Sequence, residues 1–153
     1  MYSIQIEDAK SNFSATHFLL LEATHKCSRL HGHNYKVNVT VQGPLDDNYF
    51  VLDFFQIKNR LQEITEPMDH HVLVPMESDG LTIEKSNGEV SITTPLKRYV
   101  LPEGDITFLP IAATTSELLA KYIFDELKNS FSNYKLRVSV SETSATKGIY
   151  EET

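Results

Sequence analysis

The chain has 153 residues, 41% of them hydrophobic and 23% charged, an ordinary composition for a globular protein with enough length to bury one substantial core. Its formal net charge of −7, from 14 Lys and Arg against 21 Asp and Glu, excludes the basic footprint of a nucleic-acid binder, although local basic residues can still line a pocket for a small anion. No stretch approaches the roughly 20 apolar residues that span a bilayer, the start lacks the basic and apolar regions of a secretion signal, and Cys27 is the only cysteine; the expectation is a single domain over residues 1–153 in a reducing cytoplasm, with no membrane partner and no intrachain disulfide.

Tyr2, Ile4 and Ile6 alternate with polar residues and predict a strand that begins at once. After a break at residues 8–12, Phe13, Ala15 and His17 share one face of a second strand, so a histidine stands on an apolar side. Residues 19–29 have no clean period and read as a loop carrying His25 and Cys27. The run that follows is the most informative in the chain. Tyr35, Val37, Val39 and Val41 fall on one face, with Asn34, Lys36, Asn38 and Thr40 on the other, the pattern of a half-buried strand. His31 and His33 extend its apolar face with Gly32 between them. Their i, i+2 spacing lets both reach one metal ion; the bland alternative is a pair of partly buried, hydrogen-bonded histidines, and a third ligand decides between the two.

Residues 43–48 form a turn by composition, Phe50-Val51-Leu52 read as a short strand, and Asp53 suits the N-cap of a helix. Phe54, Ile57, Leu61 and Ile64 then recur at helical spacing until Pro67 ends the run. Between residues 77 and 104, Asn87-Gly88 joins two alternating runs and predicts a hairpin. It reads as a solvated hairpin, an edge extension of the sheet, a lid or an inter-subunit arm. Thr114 and Glu117 fit a capping box for a second helix whose apolar stripe is Leu118, Leu119, Tyr122, Ile123, Leu127 and Phe131. A last strand puts Leu136, Val138, Val140 and Glu142 on one face. This order favours an α+β domain, an antiparallel sheet with helices on one face.

Histidines 17, 31 and 33 and Glu142 all stand where the alternation predicts an apolar residue. Burying such groups is costly unless they are paired, hydrogen-bonded or bound to metal, so together they point to a polar site at one end of the sheet. His17 supplies the third ligand, and three histidines without a fourth protein ligand match an open catalytic zinc site. Cys27, four residues before His31, has a thiolate that a nearby cation would stabilise for proton removal or nucleophilic attack. Asp69 beside His70 and His71 offers a carboxylate that tunes an imidazole for proton transfer, provided that a turn brings the neighbouring side chains together. Otherwise they are a helix-ending aspartate and two surface histidines.

Taken in order, Phe13-Ser14-Ala15-Thr16-His17, Cys27-Ser28-Arg29-Leu30-His31-Gly32-His33-Asn34-Tyr35, Val51-Leu52-Asp53-Phe54, Asp69-His70-His71-Val72-Leu73, Thr115-Ser116-Glu117, and Glu142-Thr143 with Tyr150 resemble the family of 6-pyruvoyl- and 6-carboxy-tetrahydropterin synthases. The resemblance implies the T-fold, an antiparallel four-stranded sheet with two helices on one face, here with an inserted hairpin at 77–104, and assembly into a homohexamer of two trimers. It implies zinc on His17, His31 and His33, Cys27 as the base with Asp69 and His70 as its proton-transfer partners, and Glu142, Thr115 and Ser116 on the pterin ring. The implied substrate is 7,8-dihydroneopterin triphosphate. The leading expectation is the 6-carboxy product, with loss of acetaldehyde and triphosphate on the route to queuosine. The alternatives are the 6-pyruvoyl product of the biopterin route, and a module that binds pterins or purines without catalysis. Thr114 stands where this family commonly has proline and Gly148 where it has alanine, and neither position is expected to touch the chemistry. Lys85, Lys97 and Arg98 are candidates to meet the triphosphate.

Overall fold

The computed structural model describes all 153 residues. In chain order they form β1 (Tyr2–Ile6), β2 (Phe13–His17), β3 (His31–Gly43), α1 (Phe54–Thr65), β4 (His71–Pro75), β5 (Thr82–Ser86), β6 (Glu89–Thr93), β7 (Arg98–Pro102), β8 (Ile106–Leu109), α2 (Ser116–Ser130), β9 (Lys135–Ser141) and β10 (Gly148–Glu151).

The organising element is β3, long enough at 13 residues to pair with two strands along one edge. Its C-terminal half pairs antiparallel with β1, from Ile6 opposite Val39 to Tyr2 opposite Gly43. Its N-terminal half pairs antiparallel with β2, from Phe13 opposite Tyr35 to His17 opposite His31. Along the other edge β9 pairs from Lys36 opposite Ser141 to Gln42 opposite Lys135, and β10 closes that side. This part is the expected antiparallel sheet. Beyond β2 the sheet departs from expectation: β4 joins β2 in parallel and β8 joins β4 in parallel, so the sheet is mixed.

Strand β4 escapes an alternation test because both of its faces are covered. Leu73 packs into the main core, while its neighbour Val74 packs into a second, smaller one. A strand buried on both sides reads as a continuous apolar run, not as a period of two. The main core lies between one face of the sheet and the two helices: Val37, Val39 and Val41 of β3 and Leu136, Val138 and Val140 of β9 meet Ile57, Leu61 and Ile64 of α1 and Leu119, Ile123 and Leu127 of α2. The second core is formed by Phe18, Val74, Val90, Ile92 and Ile106. It holds β5, β6 and β7, an antiparallel three-stranded sheet, against the β4–β8 end. The segment expected to be a hairpin thus gains a third strand and buries Val90 and Ile92 completely.

Three local expectations are corrected. Val51 and Leu52 are buried, but in bends before the Asp53 cap, not in a strand. Phe54 is exposed; the inward face of α1 is Ile57, Leu61, Ile64 and Thr65. The cap of α2 is Thr115, whose hydroxyl accepts from the Leu118 N–H at 3.3 Å, and the helix turns Ala120 and Phe124 inward because the Phe124 ring meets Tyr150 of β10 at 4.8 Å.

Candidate metal centre and active site

The antiparallel register of β2 and β3 sets His17 directly opposite His31 and Ala15 opposite His33. The three imidazoles meet at one end of the sheet, with centroids 4.7 Å apart for His17 and His31, 5.2 Å for His17 and His33, and 5.0 Å for His31 and His33. One potential ligand atom from each lies within 4.8 Å of the others. His17, the third histidine sought from the sequence, therefore lies beside the other two.

Two of the rings are held in the tautomer that leaves Nε2 free. The His17 Nδ1–H donates to the Thr114 carbonyl, at 3.0 Å, with the Thr114 hydroxyl oxygen also at 3.0 Å. The His31 Nδ1–H donates to the Arg29 carbonyl at 2.6 Å. Each ring then presents Nε2 as a lone pair. His17 Nε2 and His33 Nε2 are buried and have no hydrogen-bond partner within the protein. Burial, followed by the neighbouring His31 and His33 charges, lowers the His17 pKa to about 4, so this ring is neutral at physiological pH. A neutral His17 ring and the two orphaned Nε2 atoms of His17 and His33 fit a cation such as zinc, since leaving such atoms unpaired is costly and a bound cation would satisfy them.

Glu142 directly follows β9, whose last residue, Ser141, lies opposite Lys36 of β3. Its carboxylate oxygens lie 3.6 Å from His33 Nε2 and 3.9 Å from His17 Nε2. Tyr35 is fully buried, stacked on Phe13 at 4.8 Å, and its hydroxyl has no partner. Burial and, next, the Glu142 charge raise its pKa far above the usual phenol range.

Asp69 and His70 sit in the turn that leads into β4, and His70 takes a left-handed φ of 60°. That geometry supplies the turn the pairing needed: His70 Nδ1 lies 2.9 Å from Asp69 Oδ2. The turn is docked on β2, where the Ser14 N–H donates to Asp69 Oδ1 at 2.9 Å and the His70 N–H donates to the Ser14 carbonyl at 2.6 Å. The Ser14 amide, and then the His70 ring, hold the Asp69 carboxyl below the usual range. A polar cavity of about 400 Å³ brings His70 together with His33, His71, Asn34, Thr16 and Asp105.

Cys27 is half-buried in a single 3-10 turn, Lys26–Ser28, outside both the histidine cluster and the lining of this cavity. His25, expected to be an idle loop histidine, caps that turn through Nδ1, which accepts from the Cys27 N–H at 3.1 Å. Thr115 and Ser116 open α2, and Gly148 packs so closely there that a Cβ on it would lie 2.8 Å from the Ser116 Cβ. The three basic candidates are engaged within the protein: Lys85 with Glu103 at 3.1 Å, Lys97 with the Ser28 carbonyl at 2.9 Å, and Arg98 with the Ser91 hydroxyl at 3.0 Å. Thr114 is the residue that sequence reasoning misplaced. It reads as a helix cap and is instead a buried contact of His17, a role that no periodicity announces.

The profile of the family described as 6-pyruvoyl tetrahydropterin synthase matches residues 7–153. Among curated proteins, one named putative 6-carboxy-5,6,7,8-tetrahydropterin synthase from Methanocaldococcus jannaschii is 35% identical over 137 residues, covering 85% of this chain and 83% of that protein. The 6-carboxy-5,6,7,8-tetrahydropterin synthase of Aquifex aeolicus is 30% identical over 139 residues, covering 83% and 76%. Among solved structures, 6-pyruvoyl tetrahydropterin synthase of Plasmodium vivax superposes with a TM-score of 0.90 at 27% identity, covering 99% of this chain and 98% of that one. Shared architecture over nearly the whole length, together with these relatives, makes the α+β sheet and its two helices a T-fold, and the chain belongs to the 6-pyruvoyl tetrahydropterin synthase family.

Proposed function

We propose that the protein is a zinc-dependent lyase that converts 7,8-dihydroneopterin triphosphate and water into 6-carboxy-5,6,7,8-tetrahydropterin, acetaldehyde and triphosphate. The observation that carries this reading is the set of three imidazoles on β2 and β3 whose ligand atoms lie within 4.8 Å of one another, with the Nε2 atoms of His17 and His33 orphaned; three such ligands would leave a fourth position for substrate. Zinc held by His17, His31 and His33 would polarise the substrate's side-chain oxygens and acidify the adjacent C–H and O–H groups. Cys27 takes and returns the side-chain protons. Asp69 holds the His70 ring through the 2.9 Å contact to Nδ1, which leaves Nε2 to pass protons. Glu142 offers two acceptor oxygens to the 2-amino group and ring N–H of the pterin, and Thr115 and Ser116 add contacts at the start of α2.

The choice of the 6-carboxy product is supported by the names of the curated relatives, and a cytoplasmic place on the queuosine route would follow from that product. The 6-pyruvoyl product is the second reading, because the Plasmodium vivax structure with a TM-score of 0.90 carries that name. Exposed Tyr49, Phe50, Phe54 and Phe55 around the start of α1 support assembly, the family expectation being two trimers, since contiguous aromatic surface is normally covered. Product analysis is the test. Acetaldehyde formed together with triphosphate is expected; triphosphate released without acetaldehyde selects the 6-pyruvoyl reading. Full turnover by Cys27→Ala would remove the thiol from the mechanism, and no turnover by the zinc-loaded protein would leave only a binding module.

A further inference from the structure

The three-stranded sheet β5–β7 takes no part in the chemistry above, yet it grips the Cys27 segment at several points. The chain leaves β2 at His17, runs through Phe18, and returns at Cys27 before entering β3. The loop is closed on itself where the Leu19 N–H donates to the Cys27 carbonyl at 2.9 Å. At the outgoing end the Phe18 ring, 4% exposed, stacks on Tyr99 of β7 with centroids 4.9 Å apart. At the returning end the Lys97 ammonium donates to the carbonyl of Ser28, the residue after Cys27, at 2.9 Å. Between them Gly80 admits Leu20 so closely that a Cβ there would lie 2.6 Å from Leu20 Cδ1.

The connection from β6 to β7 that carries Lys97 is itself fixed. The Thr94 N–H donates to the Lys97 carbonyl at 2.8 Å and the Lys97 N–H donates back to the Thr94 hydroxyl at 3.0 Å. Its base is anchored by Val90 and Ile92, both fully buried in the second core. An ammonium with a partly buried stem, held by a closed turn and donating to a buried peptide carbonyl, is a charge-assisted contact with little freedom. Lys97 is therefore spent on the loop, not free for a triphosphate.

We propose that β5–β7 is a brace that fixes the Cys27 thiol relative to the histidine cluster, with Lys97 as its positioning residue. The proposal rests on the reading of Cys27 as the proton-transferring thiol, and it gives the segment at 77–104 a role within its own subunit. The brace acts on both ends of one loop: at Phe18, bonded to His17, and at Ser28, bonded to Cys27. Its failure lets the thiol drift while leaving the ligands on β2 and β3 in place.

The test uses the full zinc-loaded chain and three variants. Lys97→Met is expected to lower kcat by about tenfold or more, as small misplacements of reacting groups do, with KM and zinc content unchanged and with Lys97→Arg restoring the rate. Amide exchange at Leu19 and Cys27 rises in Lys97→Met while exchange along β3 stays at the parent level. Alkylation of Cys27 by iodoacetamide, unambiguous in a chain with one cysteine, changes rate in the same variant and returns with Lys97→Arg. Should Lys97→Met lower the Tm of the whole chain, Tyr99→Leu, which removes the Phe18 stack and the ring 5.9 Å from the Lys97 ammonium but keeps the lysine and its bond to Ser28, is expected to show the same local exchange change. Unchanged exchange at Leu19 in both variants, or a loss of kcat that Lys97→Arg does not restore, overturns the proposal. The exchange measurement is independent of catalysis, so a Cys27→Ala variant with full turnover would refute the thiol's role without touching the brace.

Discussion

Replacing Thr114 with valine isolates one contact of the candidate metal centre. The side chain is fully buried, its hydroxyl oxygen lies 3.0 Å from His17 Nδ1, and the Thr114 carbonyl at the same distance survives the substitution. Valine has nearly the same shape, so the change deletes one of two acceptors and opens no cavity. A hydrogen bond of this kind is worth about 0.5–1.5 kcal/mol net, which corresponds to zinc binding weaker by roughly threefold to tenfold. Losing both acceptors would reach the larger range of about 10–100-fold seen when the groups behind a metal-bound histidine are removed. Competition against a chromophoric chelator at neutral pH measures the shift directly. Thr115→Val is the control: it removes the N-cap of α2, costs about 1 kcal/mol of stability, and is expected to leave zinc affinity alone. Unchanged or tighter zinc binding in Thr114→Val would refute the view that Thr114 sets the His17 ring.

Metal-free protein should lose stability as pH falls from about 6.5 to about 4, because the folded His17 resists the proton that the unfolded chain accepts first; the depression contributes about 3 kcal/mol above that window and nothing below it. Urea midpoints of the apo protein check this, and a midpoint that is flat or rises toward acid contradicts it. Asp69→Asn keeps an acceptor for the Ser14 amide but loses the charge opposite His70, so kcat should fall by about 100-fold with Tm unchanged; equal activity would remove the pair from proton transfer. Gly148→Ala places a Cβ against the Glu117 N–H and within 2.8 Å of the Ser116 Cβ, and overpacking of this kind should cost about 1–3 kcal/mol, read as a lower Tm.

Alternation along β2, β3 and β9 made the half-buried face legible, and because a histidine or a glutamate on that face breaks the pattern, the cluster of His17, His31, His33 and Glu142 was legible with it. The helices were readable for the same reason, from apolar spacing, from Asp53 ahead of the first and from Thr114 and Glu117, one residue off the true cap, at the start of the second. What escaped has physical causes. Strand β4 is apolar on both faces, so it has no period, and parallel pairing is set by the path of the chain through α1, not by local residues. Strand β10 has only four residues. Contacts made by the main chain leave no trace in side-chain type: the Thr114 and Arg29 carbonyls that orient His17 and His31, and the Ser14 peptide that holds Asp69 and His70, are invisible to sequence reading. Thr114 shows how one residue type serves two roles, since a threonine ahead of a helix reads as its cap while the neighbouring Thr115 does the capping.

Whether the three imidazoles hold one ion is tested most directly by elemental analysis of protein purified without chelator. The expected result is about one zinc per chain, the number that a single three-histidine site holds, lost together with turnover when His17, His31 or His33 is replaced by alanine. A metal-free protein that still consumes 7,8-dihydroneopterin triphosphate would contradict it.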